Sequence, residues 1–235
     1  MKTIFICTYY HFIMFLRNKN QLFYLWLFPL ILFSLFSSFW GYSEGYVKFL
    51  LVGVIGMTIM SNSLSEMGPF LRNEYNSGRL KMLQKLPFNL TNYFVGFIFT
   101  KTTIIMIITV TIALIGLSFF SVSISFADIM NYMIGIILGM LIFSFISLDI
   151  TLIYLKSSVY STIINLLNYI ILFVSDVFYP ASTYSPMLKL IGELFPLNTI
   201  LNVMRNGTYD IILIFWLIVP ILLFSILIRR IVFVR

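Results

Sequence analysis

The chain has 235 residues, of which 60% are hydrophobic and 10% charged, with a mean hydropathy of +1.02 and a net charge of +7. A soluble fold of this length needs a polar exterior that this composition does not supply, so the class is an integral membrane protein. One cysteine, Cys7, excludes an internal disulfide and a cysteine zinc cluster. The positive charges stand in short segments beside apolar runs, where they set membrane orientation rather than bind nucleic acid.

Residues 1–21 come first. Ile4 to Leu16 is mostly apolar and follows Lys2, as in a signal peptide, but Arg17, Asn18, Lys19 and Asn20 stand where small cleavage-site residues belong. A cytoplasmic interfacial helix, with Arg17 and Lys19 at the lipid headgroups, fits better. His11, the only histidine, reads as an interfacial residue rather than a catalyst.

Six apolar runs follow: Leu22–Trp40, Phe49–Ser65, Tyr93–Phe119, Ile129–Leu155, Ser158–Tyr179 and Ile211–Ile228. A helix needs about 20 apolar residues to cross the hydrocarbon core. Long continuous runs favour helices over the alternating strands of a barrel. Gly53 and Gly56 in the second run mark close packing. The expected fold is therefore all-α, with an N-terminal interfacial helix (1–21) and one six-span domain (22–235). Placing the N-terminus inside puts 12 of the 15 lysines and arginines on the cytoplasmic side, leaving Lys48, Lys189 and Arg205 outside. Both termini are then cytoplasmic.

Two segments between the runs stand out. Residues 66–92 hold most of the polar, basic stretch PFLRNEYNSGRLKMLQKLPFNLTNYFVG, which runs from Pro69 to Gly96 with Pro69, Gly78 and Pro87 as breaks. Residues 180–210 are too apolar for a free loop, and too short and broken by prolines for two spans. One or two short helices dipping into the outer membrane face fit this segment, ahead of an amphipathic loop resting on the bilayer.

Ionisable residues within spans are functional candidates until they find partners. Asp149 lies two helical turns, about 10 Å, before Lys156 and on the same face, so Lys156 or water can satisfy it. Lys101 is placed to snorkel inward. No chain of buried acids forms a proton relay. A lone histidine excludes a two-histidine zinc site, and neither a GxSxG elbow nor a GxxxxGK[ST] loop is present. This chain therefore does not hydrolyse ATP by a P-loop mechanism.

One resemblance covers nearly the whole chain. Glu74, then Gly78, Leu80, Leu83 and Pro87, with Gly96 nine residues later, resembles the cytoplasmic loop of ABC-2 type permeases, the membrane subunits of ABC exporters. Pro180 after the fifth run, then Pro196 with Arg205 nine residues on, resembles their outer region. Phe97, Tyr75 and Asp176 depart from the pattern, which often has lysine, arginine and a small residue at these places.

The resemblance implies a coupling helix around Glu74–Pro87 docked on a separate ABC ATPase, with Glu74 paired to a basic group on that ATPase or on the N-terminal helix. It implies no cofactor on this chain, with ATP and Mg on the partner. It also implies a second permease copy or a sister permease, and a path lined by the second and fifth spans. Asn165, Asn168, Phe173 and Ser175 are the candidate lining residues in the fifth span, and Asn165 and Asn168 serve equally as interhelical hydrogen-bonding groups. The implied activity is export of a hydrophobic or amphipathic substrate, a drug-like compound or an antimicrobial peptide, across a prokaryotic plasma membrane. A glycan exporter of the same family, a non-transporting immunity or sensor protein and an ion-driven transporter are the competing readings.

Overall fold

The computed structural model describes residues 2–40, 43–83, 85, 90–120, 122–155, 159–180 and 186–233. They form α1 (Lys2–Arg17), α2 (Lys19–Trp40), α3 (Glu44–Asn76), α4 (Arg79–Leu83), α5 (Leu90–Phe120), α6 (Phe126–Ile153), α7 (Val159–Val174), α8 (Pro186–Leu194), α9 (Pro196–Asn206) and α10 (Ile211–Phe233). Among the described residues there is no strand.

Local chemistry sets several helix ends. Ser43 caps α3 by accepting from the Tyr46 amide at 3.3 Å, and Glu44 follows in the first turn, where a negative charge suits the helix dipole. Ser125 and Asp128 form a reciprocal capping box at the start of α6. Pro196 opens α9 and Gly207, at φ 65°, closes it.

The helices α2, α3, α5, α6 and α10 are long and apolar enough to cross a membrane. The fifth apolar run differs from its expected extent. Helix α7 has 16 residues, fewer than a full crossing needs, and residues 175–179 are bent. Pro180 therefore does not end this helix, which stops six residues earlier. The physical reason is tertiary: a Cβ at Gly53 would overlap the Val177 carbonyl, so only glycine admits the bent segment against α3.

Helix α3 also exceeds its expected run. Its 33 residues span about 50 Å, against about 30 Å for the hydrocarbon core. Pro69 lies inside it and does not break it. Ser147 of α6 donates to the Leu64 carbonyl at 2.8 Å and accepts from the Gly68 amide at 3.0 Å. One side chain thus serves two backbone groups of α3 immediately before the proline.

Helices α3 and α6 form the central pair, with α9, α2, α5 and α10 around them. The main core is built on Leu50, Leu51, Ile55, Ile59, Met140, Phe143, Leu197 and Leu201. A second cluster joins Met67, Leu71, Leu80, Phe94, Phe145 and Phe224 at the far end of α3. Outward faces of α2, α5 and α10 carry exposed Phe23, Trp26, Ile107, Leu114, Phe215 and Leu222, as surfaces in contact with lipid do.

Candidate functional site

Helix α3 ends in a tight turn. Ser77 donates from its amide to the Asn73 carbonyl, and the Gly78 amide donates to Tyr75 at 3.1 Å. Gly78 sits at φ 71°, and a Cβ there would meet nothing within 4 Å. Its role is the left-handed turn, not close backbone approach. Helix α4 then folds back, and the Arg79 guanidinium meets the Glu74 carboxylate at 2.9 Å. Glu74 is 3% exposed and Tyr93 also acts on it. Its basic partner is therefore Arg79 of its own chain, five residues away, because the turn brings Arg79 back over the carboxylate.

Leu80 is buried in the second cluster, fastening α4 to α3 and α5. Leu83 is the last residue of α4, and Pro87 lies outside the described residues. Glu74 and Leu80 thus face inward and hold the turn. Asn76, Ser77, Gly78, Arg79, Met82 and Lys85 are exposed on it, Met82 by 70%. Two groups on this turn therefore act as anchors, while their neighbours form an exposed surface. Close by, Arg72 stands over the Tyr160 ring at 4.4 Å and joins the end of α3 to the start of α7.

Helix α1 lies against α5. A Cβ at Gly96 would meet the Cys7 side chain at 2.8 Å, and Thr100 donates to the Thr8 carbonyl at 3.0 Å. This contact explains a glycine at position 96. Phe97 stacks on Phe70 at 3.9 Å, so an aromatic ring there bridges α3 and α5. His11 is not interfacial: it is 2% exposed, edge-on to Phe70, Tyr93 and Phe97. Burial holds its pKa down to about 4, partly opposed by a hydrogen bond to the Tyr93 backbone.

The expected lining residues do not share one face. Asn168 accepts from Ser61 of α3 at 3.2 Å. Asn165 and Phe173 are exposed, Phe173 by 82%. Ser175 is buried, lies beyond the end of α7, and its hydroxyl has no hydrogen-bond partner among the described residues.

Sequence reasoning missed Glu66. Its carboxylate forms an ion pair with Lys101 of α5, and Lys101 lies 3.7 Å from the centre of the Phe15 ring. Lys101 is 3% exposed, so it does not snorkel; the nearby acid makes burial affordable. The apolar runs alone gave no signal for this pair, because Glu66 lies just outside the second run while Lys101 lies well inside the third; the match appears only because α3 extends to Asn76 and α5 starts at Leu90. Asp149 is also buried, and its Oδ1 has no hydrogen-bond partner among the described residues; Lys156 lies outside them.

At the opposite end, Arg205 gathers three elements. Its Nη2 donates to the carbonyls of Phe49 at 3.1 Å and Asp176 at 2.7 Å, and the guanidinium lies 3.5 Å from the centre of the Phe49 ring. Asn198 accepts from the Asp176 amide at 2.8 Å. Helix α9, opened by Pro196 and buried at Leu197, Asn198, Ile200, Leu201 and Met204, thereby holds the bent segment 175–179 against α3. Lys48 and Asp128 pair at 2.7 Å at the same end. Among the described residues, no group of three or more His, Cys, Asp or Glu side chains is arranged to hold a metal ion.

The family model described as ABC-2 type transporter matches residues 2–209. Among curated proteins, none matches the sequence.

Proposed function

Because this chain belongs to the ABC-2 type transporter family, we propose that it is the membrane permease subunit of an ATP-driven exporter whose ATPase is a separate chain. The turn at Gly78 carries this reading. Glu74 and Leu80 fasten it from inside, and exposed Arg79, Met82 and Lys85 form a small, fixed surface beyond the core-spanning part of α3. Such a surface transmits motion: a push on α4 reaches α3 through the Glu74–Arg79 pair and α7 through Arg72 and Tyr160.

In this reading both termini and the turn face the cytoplasm, following the basic residues, and α1 lies along the inner membrane surface. Helix α7 with residues 175–180 makes the sixth crossing, and α8 and α9 form a re-entrant outer segment held by Arg205. The exposed Asn165 of α7 is costly against lipid and suits a water-filled path or a second permease copy. The path takes a hydrophobic or amphipathic substrate, a drug-like compound or an antimicrobial peptide, out of a prokaryotic cell. ATP and Mg bind the partner.

Co-expression with neighbouring genes and purification in detergent tests this. The native chain is expected to bring down an ATP-hydrolysing subunit, and a Met82→Asp, Lys85→Glu variant to lose it while retaining its thermal midpoint. A folded native chain that retains no ATPase would favour a non-transporting role.

A further inference from the structure

Between α2 and the C-terminal half of α3 lies a cavity of about 440 Å³. Tyr24 and Phe28 of α2 form one wall, and Ser61, Asn62, Ser65 and Glu66 of α3 contribute a polar edge to the other. Sites for drug-sized ligands typically enclose about 300–1,000 Å³, with mostly apolar walls and a few placed polar groups.

The polar edge is rich in acceptors. Glu66 is the one acid in the lining. Lys101 engages its Oε2 from within the protein, where Lys101 has a side-chain exposure of 4% against 16% for Glu66. A carboxylate has two oxygens and about four acceptor positions, so one ammonium does not saturate it. The Lys101 charge is further shared with the rings of Phe15 at 3.7 Å and Phe97 at 5.6 Å. Asn62 gives one of its two Nδ2 hydrogens to the Thr58 carbonyl at 2.9 Å, and its amide oxygen adds an acceptor beside the second N–H. Ser61 gives its proton to Asn168.

We infer that this cavity binds an amphipathic organic cation, with a cationic N–H group donating to the Glu66 carboxylate and an aromatic or alkyl body lying against Tyr24 and Phe28. The rings add attraction for the cation. Lys101 has a defined part: it is the resident counter-charge of the Glu66 carboxylate while the cavity is empty. The inference rests on the permease reading for its physiological meaning, since it names the substrate class, but the binding chemistry belongs to this chain alone.

The test is binding of rhodamine 6G, a cationic amphiphile with N–H donors, to the purified full-length chain in detergent, followed by fluorescence anisotropy. Fluorescein, similar in skeleton and anionic, is the control. The native chain is expected to bind rhodamine 6G and not fluorescein. Glu66→Gln should weaken binding about tenfold or more, as loss of a charge-assisted hydrogen bond does. Lys101→Met should tighten it, because the carboxylate loses its competitor. Tyr24 is 70% exposed, so Tyr24→Ala should preserve the fold while weakening binding. If Glu66→Gln fails to fold, the Glu66→Gln, Lys101→Met double variant removes both charges together and should also bind weakly.

Equal binding of both dyes, or rhodamine 6G affinity unchanged in Tyr24→Ala and in the folded charge variants, would overturn the proposal. So would displacement of rhodamine 6G by phosphatidylcholine at equal affinity in native and Glu66→Gln chains, which would mark a lipid seat. No ATPase is needed in this assay. Its failure therefore leaves the permease reading standing, and failure to recover an ATPase leaves the cavity's binding chemistry standing.

Discussion

The Glu74 carboxylate and the Arg79 guanidinium meet at 2.9 Å across the turn made by Gly78. The pair is asymmetric: side-chain exposure is 3% for Glu74 and 52% for Arg79. Removing Arg79 leaves a buried carboxylate without its cation, unlike the loss of an ordinary surface ion pair. Arg79→Ala is expected to cost about 2 kcal/mol, read as a lower thermal midpoint in detergent. Gly78→Ala should cost about 1–2 kcal/mol, because an L side chain pays for the left-handed conformation. Both variants should be cut faster by protease at residues 77–85.

Ser147→Ala removes the hydroxyl that serves the Leu64 carbonyl and the Gly68 amide together. The expected loss is about 1–3 kcal/mol, the range for stranding a buried polar group. Hydrogen exchange at Gly68 should rise in the same variant, while exchange at α10 stays constant.

Arg205→Ala deletes two hydrogen bonds and the stack on Phe49, and about 3 kcal/mol of stability should go with them. Arg205→Lys retains the charge but loses the planar stack, and about 1 kcal/mol is the expected cost. Exchange protection over residues 175–179 should fall in the order native, Lys, Ala.

His11 gives the docking of α1 a pH dependence. Its folded pKa is held down to about 4, against 6.5 for the free side chain, chiefly by burial. The unfolded chain therefore binds more protons between these values, so stability is full above about pH 6.5 and declines as pH falls towards 4. The groups facing His11 are Tyr10, Phe70, Tyr93 and Phe97. The thermal midpoint of the native chain should drop by more between pH 7.5 and 5 than that of His11→Phe, which keeps the ring packing without the titration.

The helical class, the long apolar runs and the family pattern from Glu74 to Gly96 were legible because composition and spacing encode them locally. Gly96 belongs to that pattern, but its physical reason is distant, the approach of Cys7. What remained hidden depended on distant partners. Pro69 suggests a break, but α3 continues through it, and Ser147, some 80 residues later, bonds the Leu64 carbonyl and the Gly68 amide ahead of it. The early end of α7 depends on Gly53, Asn198 and Arg205. Glu74 meets Arg79 of its own chain, and Lys101 meets Glu66 rather than the membrane surface.

The most direct test of the exporter reading is photo-crosslinking from the exposed turn. A benzoyl-phenylalanine in place of Met82, in cells expressing the chain with its genomic neighbours, should form an adduct with an ATP-binding subunit, and the yield should change with nucleotide. The same group in place of Lys189, at the far end of the fold, should form none. Adducts from position 189 but not 82, or none from 82 while an ATPase co-purifies through another surface, would contradict the assignment of the Gly78 turn as the coupling site.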